Sequence, residues 1–482
     1  MLRLSAPRIA PLAALAALAA LVAGPAPVLR AQRVDSTLKG RILANLAAKT
    51  DSTYHYAAYI SRAYADSGTA PLLLVLDPRG RAVGALENLA PAVERLGWVA
   101  ISSYDTRGDA APAVNQRIVN VMLADAFNAL RLDTARIYVA GLSGTASDAW
   151  IFAYGSGGHI AGILSAGAGM PLDSAWRAAH GGRPPFDVAL TASPERFGYD
   201  AMSALGRRLA SDSAPSRLDL VGDAAGWPGE AVVGQALGWL EARAMARGLR
   251  PANRSFVDSV FAADSGAAAA LEAAHRTGRA ADAWTQAAEA WRGTHDVSFA
   301  LGRAAVLGAQ ADVKRWRGER DSLAALDSTQ RTSLVRTLMA LRRTPGVPDL
   351  RRLTDAFRIV PLQQWASDAA DSVRAEWARR RLSEIYARTS YYEPEAYLAV
   401  QDAARALAML AIASEIRPGS ADVCRERARA YALRQDSDRA LADLRCALAG
   451  SAITVDEIRA DPRYRFMQTR DDYLALIGRK PG

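Results

Sequence analysis

Histidine is scarce, with five in 482 residues. His55, His159, His180, His275 and His295 are far apart and form no cluster with other metal-ligand side chains. Lysine is scarcer still. Lys39, Lys49, Lys314 and Lys480 are the only lysines among 59 basic residues, so positive charge rests on arginine scattered along the chain. That pattern is a compositional bias and not the massed patch of a nucleic-acid binder, so no nucleic-acid partner is expected. HExxH, CxxC, GxGxxG and P-loop motifs are missing, so no metal and no cofactor are expected. Gly155, Gly157 and Gly158 lack the phosphate-loop continuation and read as a turn. There are two cysteines, Cys424 and Cys446. None precedes Cys424, which excludes a lipid-bearing cysteine near the N-terminus. Their separation in sequence leaves both a disulfide and two free thiols open.

What is present begins with an N-terminal signal. Arg3 and Arg8 bracket the start, Ile9 to Val22 is a nearly unbroken Ala/Leu run, and Gly24, Pro25 and Ala26 follow. About 14 apolar residues are too few for a comfortable span of about 20, and Ala26 or Ala31 offers a cleavage point. Residues 1–31 are therefore expected to be a signal peptide and the mature protein to be secreted or periplasmic. An uncleaved anchor is the alternative. No later stretch is long and apolar enough to cross a bilayer, so no integral membrane segment is expected after cleavage. The net charge of +9 includes Arg3, Arg8 and Arg30, which cleavage after Ala31 removes. Half the residues are hydrophobic and 23% are charged, a globular composition. The length predicts two or more cores.

Between Tyr54 and Gly248 short apolar runs alternate with helical patterns, the rhythm of a parallel sheet with crossover helices. Strands are predicted at 72–76, 98–102, 137–140, 160–165, 188–191 and 218–221, and helices at 86–96, 114–130, 200–209 and 232–247, with another running through Trp150 and Phe152. Past Arg250 strand signals stop, and apolar residues recur at helical spacing to the end. The reading is an α/β domain over 34–249, a helical region over 250–390 and helical repeats over 391–482. Breaks are expected at Gly346 to Pro348, at Pro394 and at Pro418. Ala406, Leu410, Ala413 and Pro418 have the spacing of the second helix of a tetratricopeptide repeat, and Ala440, Leu444 and Ala447 repeat it 34 residues later. Ala428 and Tyr431 sit where the first helix needs a small residue and an aromatic, while Arg427 replaces the usual leucine. An ordinary helical bundle is the alternative.

The segment RIYVAGLSGTASDAW (136–150) contains Gly141-Leu142-Ser143-Gly144-Thr145, an approach to the GxSxG nucleophile elbow. Such an elbow needs small neighbours because strand and helix meet closely at the serine. Thr145 stands where a third glycine is usual. With LLVLDPRGR (73–81), GWVAISSYDTRGD (97–109) and AGILSAGAGMP (161–171), the stretch from Leu73 to Gly248 resembles secreted esterases of the α/β-hydrolase superfamily, of the dienelactone hydrolase and polyhydroxybutyrate depolymerase type.

That resemblance implies an α/β-hydrolase-like, mostly parallel sheet with Ser143 as nucleophile. It also implies oxyanion-hole amides from Gly144 and from the 77–80 loop, where Pro78 has no N–H and Arg79 or Gly80 would donate. The family's acid falls in 191–197, where Arg196 stands in the aspartate's place. Its histidine falls in 222–228, where Ala225 stands instead, two residues before Trp227. A serine hydroxyl needs a neighbouring base to become a nucleophile. His180, in the loop after the 160–165 strand, is the one histidine read as able to fold over the site. The sequence thus supports a degenerate hydrolase domain that binds a small acyl or ester ligand, with repeats docking a peptide or protein partner. The alternative is an active serine hydrolase with a displaced base such as His180.

Overall fold

A computed structural model describes residues 34–170, 172, 182–222, 226–344, 346–368 and 372–478; the expected signal peptide lies outside them. The chain divides into two units. One is residues 1–193 with 198–314; the other is 194–197 with 315–482.

The first unit carries an eight-stranded sheet. Its strands are β1 (Ile42–Ala47), β2 (His55–Ile60), β3 (Ala70–Leu76), β4 (Val99–Ser103), β5 (Leu132–Leu142), β6 (Ile160–Ala166), β7 (Asp187–Ala192) and β8 (Ser216–Leu220), in the order β1-β2-β4-β3-β5-β6-β7-β8. From β3 to β8 all pairings are parallel. The crossover helices among the described residues are α1 (Ala82–Leu96), α2 (Pro112–Ala129), α3 (Gly144–Gly155) and α4 (Tyr199–Ser211), and α5 (Glu230–Ala246) follows the last strand. Central strands are buried on both faces, which is why they read as continuous apolar runs. Side chains alternate between two cores. Leu72, Leu74, Val139 and Ile163 join Met122, Trp150 and Met202 on one face. Leu73, Val75, Tyr138 and Leu164 join Leu86, Leu89, Leu237 and Trp239 on the other. This is the mostly parallel sheet with flanking helices that the strand–helix rhythm predicts.

Two features differ from expectation. First, β1 and β2 form an antiparallel pair ahead of the predicted strands, and β2 runs antiparallel to β4. The β1–β2 register shifts between Leu43 and Leu46, and Asn45 has φ 54°. Second, the unit does not end at residue 249. Helices α6 (Arg254–Ala273), α7 (Thr277–Trp291) and α8 (Ser298–Gly308) belong to it. Phe256, Val257, Val260, Phe261 and Trp291 complete the second core, and Trp239 Nε1 donates to the Ala290 carbonyl at 2.9 Å. Arg217 of β8 is paired with Asp219 and with Asp264 of α6. The 34–249 boundary is therefore corrected to Lys314, because the sheet's second face needs these helices to cover it.

The second unit is helical apart from Pro194–Phe197. Its helices are α9 (Ala311–Arg343, in which the boundary falls), α10 (Leu350–Ala356), α11 (Ile359–Ala366), α12 (Val373–Ala387), α13 (Glu393–Ala399), α14 (Ala403–Ile416), α15 (Ala421–Leu433), α16 (Ser437–Ala449), α17 (Val455–Ala460) and α18 (Asp471–Leu476). Pro394 makes no break. It occupies the first turn of α13, directly after a π-helical turn at Arg388–Tyr392, where its missing N–H is harmless. Pro418 does follow the end of α14. Leu334, Leu353, Trp377, Ile385 and Met409 share one core across α9 to α14, so no division falls at residue 390.

The pair α15–α16 crosses closely at Ala428, Ala432 and Ala440. There Arg427, the departure from leucine, is paired with the buried Asp443 across the two helices. Cys424 and Cys446 are disulfide-bonded, with their Cα atoms 5.9 Å apart. Within this unit Arg379 binds Glu195 at 2.7 Å, Arg380 donates to the Pro194 carbonyl, and the Phe197 amide donates to Ser383 Oγ.

Candidate functional site

β5 is buried from Ile137 to its end at Leu142, and Ser143 follows, adopting φ 52° and ψ −123° before α3 begins at Gly144. A non-glycine residue in that conformation is strained, and here it lifts an exposed serine to the C-terminal edge of the sheet. The Ser143 amide donates to the Ala166 carbonyl at 2.8 Å, and its carbonyl accepts from the Ala146 amide at 3.0 Å. Its hydroxyl has no hydrogen-bond partner among the described residues. The turn needs both glycines. A Cβ on Gly141 would lie 2.5 Å from the Thr145 carbonyl oxygen, and one on Gly144 would lie 2.3 Å from that of Gly108.

Thr145 does more than replace a glycine. Its hydroxyl is buried between the Leu76 carbonyl at 2.5 Å and the Leu142 carbonyl at 2.9 Å, and it accepts from the Leu142 amide. It pins the elbow to the end of β3.

Three loops converge on that edge. After β3, the buried Asp77 carboxylate accepts the amides of Arg79 at 2.9 Å and Arg81 at 3.2 Å on one oxygen. Its other oxygen accepts the indole N–H of Trp227 at 3.1 Å. The Gly80 amide turns back to the Asp77 carbonyl. After β4, Thr106 donates to the Asp77 carbonyl and the Gly108 amide to the Pro78 carbonyl. Asn115 of α2 brackets Arg107, accepting its amide and donating to its carbonyl, and also donates to Asp148 of α3 at 2.7 Å. Burial raises the Asp148 carboxyl above its ordinary value, and the Asn115 hydrogen bond opposes that rise. After β8, Trp227 reaches Asp77 although β8 and β3 are four strands apart in the sheet. Trp227 is therefore brought back along the sheet's C-terminal edge to the end of β3.

Of the residues singled out in the sequence, Ser143 and Gly144 share the elbow. The Gly144 amide opens α3, where an N–H has no intrahelical acceptor. The Arg79 amide lies one strand away and is engaged by Asp77. His180 and Ala225 lie outside the described residues. Arg196 lies in the Pro194–Phe197 segment that groups with the second unit.

The other histidines are distributed elsewhere. His55 starts β2 at the correct edge but three strands from β5, about 14 Å at the usual strand spacing. His159 precedes β6 at the opposite edge. His275 follows α6, and His295 stacks on Phe261 and pairs with Asp258. Sequence reasoning missed the Asp77–Trp227 and Asn115–Asp148 contacts. The signal within reach was Trp227, conspicuous in a loop otherwise made of small residues. Among the described residues no group of histidine, cysteine and acidic side chains is placed to hold a metal ion.

No family model matches the chain and no curated protein matches it. Solved structures do resemble part of it. Fluorophosphonate-binding serine hydrolase F of Staphylococcus aureus is 11% identical over 42% of this chain and 98% of its own, with a TM-score of 0.35. The S-formylglutathione hydrolase of the same organism is 12% identical over 42% and 97%, with a TM-score of 0.32. A dienelactone hydrolase-like protein of Klebsiella pneumoniae is 10% identical over 46% and 95%, with a TM-score of 0.30. The solved structures similar to part of this chain include esterases, dienelactone hydrolases and serine hydrolases.

Proposed function

We propose that this protein is an exported, catalytically silent member of the α/β-hydrolase fold whose elbow pocket binds a small acyl or ester ligand and whose helical repeats dock a peptide or protein segment. The observation that carries the reading is an intact, strained elbow presenting Ser143, while the one imidazole at that edge among the described residues, His55, lies three strands away. Without a base to take its proton, the hydroxyl is a poor nucleophile. Losing the base from such a site costs about 10⁴- to 10⁶-fold in turnover. The Cys424–Cys446 disulfide supports export, since disulfides persist in oxidising compartments. The helix pair α15–α16, with small residues at its crossing, supports the repeat reading.

The test is turnover of short-chain p-nitrophenyl esters and fluorophosphonate labelling by the mature protein, Ser143→Ala and His180→Ala, from pH 6 to 9. The reading expects wild type to match Ser143→Ala throughout. A Ser143-dependent adduct or rate that also vanishes in His180→Ala would establish the second reading, a serine hydrolase with a displaced base.

A further inference from the structure

Away from the elbow, α4 and α7 stand apart over the start of β8 and leave a cleft of about 540 Å³, a volume typical of small-molecule sites. Gly206 on one helix and Ala290 on the other are among its lining residues. Four arginines line it: Arg207, Arg217, Arg243 and Arg292. Two are neutralised from behind, Arg217 by Asp219 and Asp264 and Arg243 by Asp187. Arg207 donates to the hydroxyl of Ser203 at 2.7 Å and makes no ion pair among the described residues. Arg292 makes no ion pair among the described residues, although its charge is felt by Glu289 three residues earlier.

Glu289 is the one acid in the lining. Burial raises its carboxyl above the usual value, and no donor hydrogen-bonds to it among the described residues. The cleft thus offers two guanidinium groups without a carboxylate partner and one carboxylate without a donor. Guanidinium forks match carboxylate and phosphate oxygens, and a desolvated carboxylate is satisfied by an incoming hydroxyl.

We propose that this cleft binds a small hydroxylated organic anion, its carboxylate or phosphate held by Arg207 and Arg292 and its hydroxyl groups donating to Glu289. The site is independent of Ser143. Its test is isothermal titration of the mature protein at fixed ionic strength with glucuronate, glucose 6-phosphate and uncharged glucose. At least one anion is expected to bind tenfold or more tightly than glucose, and the preferred anion tells a carboxylate site from a phosphate site. Arg207→Gln and Arg292→Gln should each weaken binding at least tenfold, while Arg208→Gln, exposed on the same helix but outside the cleft, leaves it unchanged. All three positions are solvent-exposed, and unchanged thermal unfolding verifies that each variant folds. The proposal is overturned if neither anion binds below about 10 mM, if glucose binds equally, or if the two lining variants bind like wild type.

Discussion

At Gly144 the added methyl of alanine would meet the Gly108 carbonyl oxygen at 2.3 Å. That oxygen belongs to a loop held by both Pro78 and Asn115, so it has little room to retreat. Gly144→Ala is expected to cost about 1–3 kcal/mol in urea unfolding. Thr145→Val keeps the shape but leaves the Leu142 amide without its hydroxyl partner, and about 1–3 kcal/mol is expected again. A Thr145→Val protein as stable as wild type would refute the pinning role.

Asp148 supplies a pH signature. Its folded pKa is raised, so the folded state resists deprotonation, and the carboxyl's contribution to stability falls as pH rises through and above its ordinary 3.8. Measured from pH 4 to 7, wild type should lose stability relative to Asp148→Asn with increasing pH; a flat difference would contradict the assignment. The elbow itself was legible in the sequence because its residues are adjacent. The contacts that hold it were not, since Asn115–Asp148 spans 33 residues and Asp77–Trp227 spans 150, beyond anything that local spacing encodes.

The parallel strands and the helices between them were readable because each buried strand is a short apolar run, while α1 and α4 put buried residues on one face and exposed ones on the other. β1 escaped because it is an edge with half its side chains in solvent and a shift in its register. Helices α6 to α8 were legible as helices but not as members of the first unit, because an alanine-rich pattern does not say which core it covers. Within the second unit, the α15–α16 disulfide closes a segment of 22 residues. Loop-closure entropy puts its contribution at about 3 kcal/mol. Denaturant unfolding of Cys424→Ser/Cys446→Ser, followed by helical circular dichroism, should show a loss of that order. The Arg427–Asp443 pair is expected to be the next tie to matter, because removing the arginine strands a buried carboxylate.

For the whole molecule, the placement of Phe256, Val260 and Trp291 in the sheet's second core makes a cut at residue 249 expose an apolar face. Residues 34–314 are expected to unfold cooperatively when expressed alone, whereas 34–249 should aggregate or bind a hydrophobic dye. Equal behaviour of the two fragments would return the boundary to 249. Among the described residues the sheet's outermost strands are β1 and β8. At β1 the register shift and the positive φ of Asn45 twist the outermost backbone, so its unpaired amides and carbonyls cannot form a straight ladder for a neighbouring chain. Deleting Asn45 is expected to turn a strand that terminates the sheet into one that recruits another copy, seen as concentration-dependent association in light scattering.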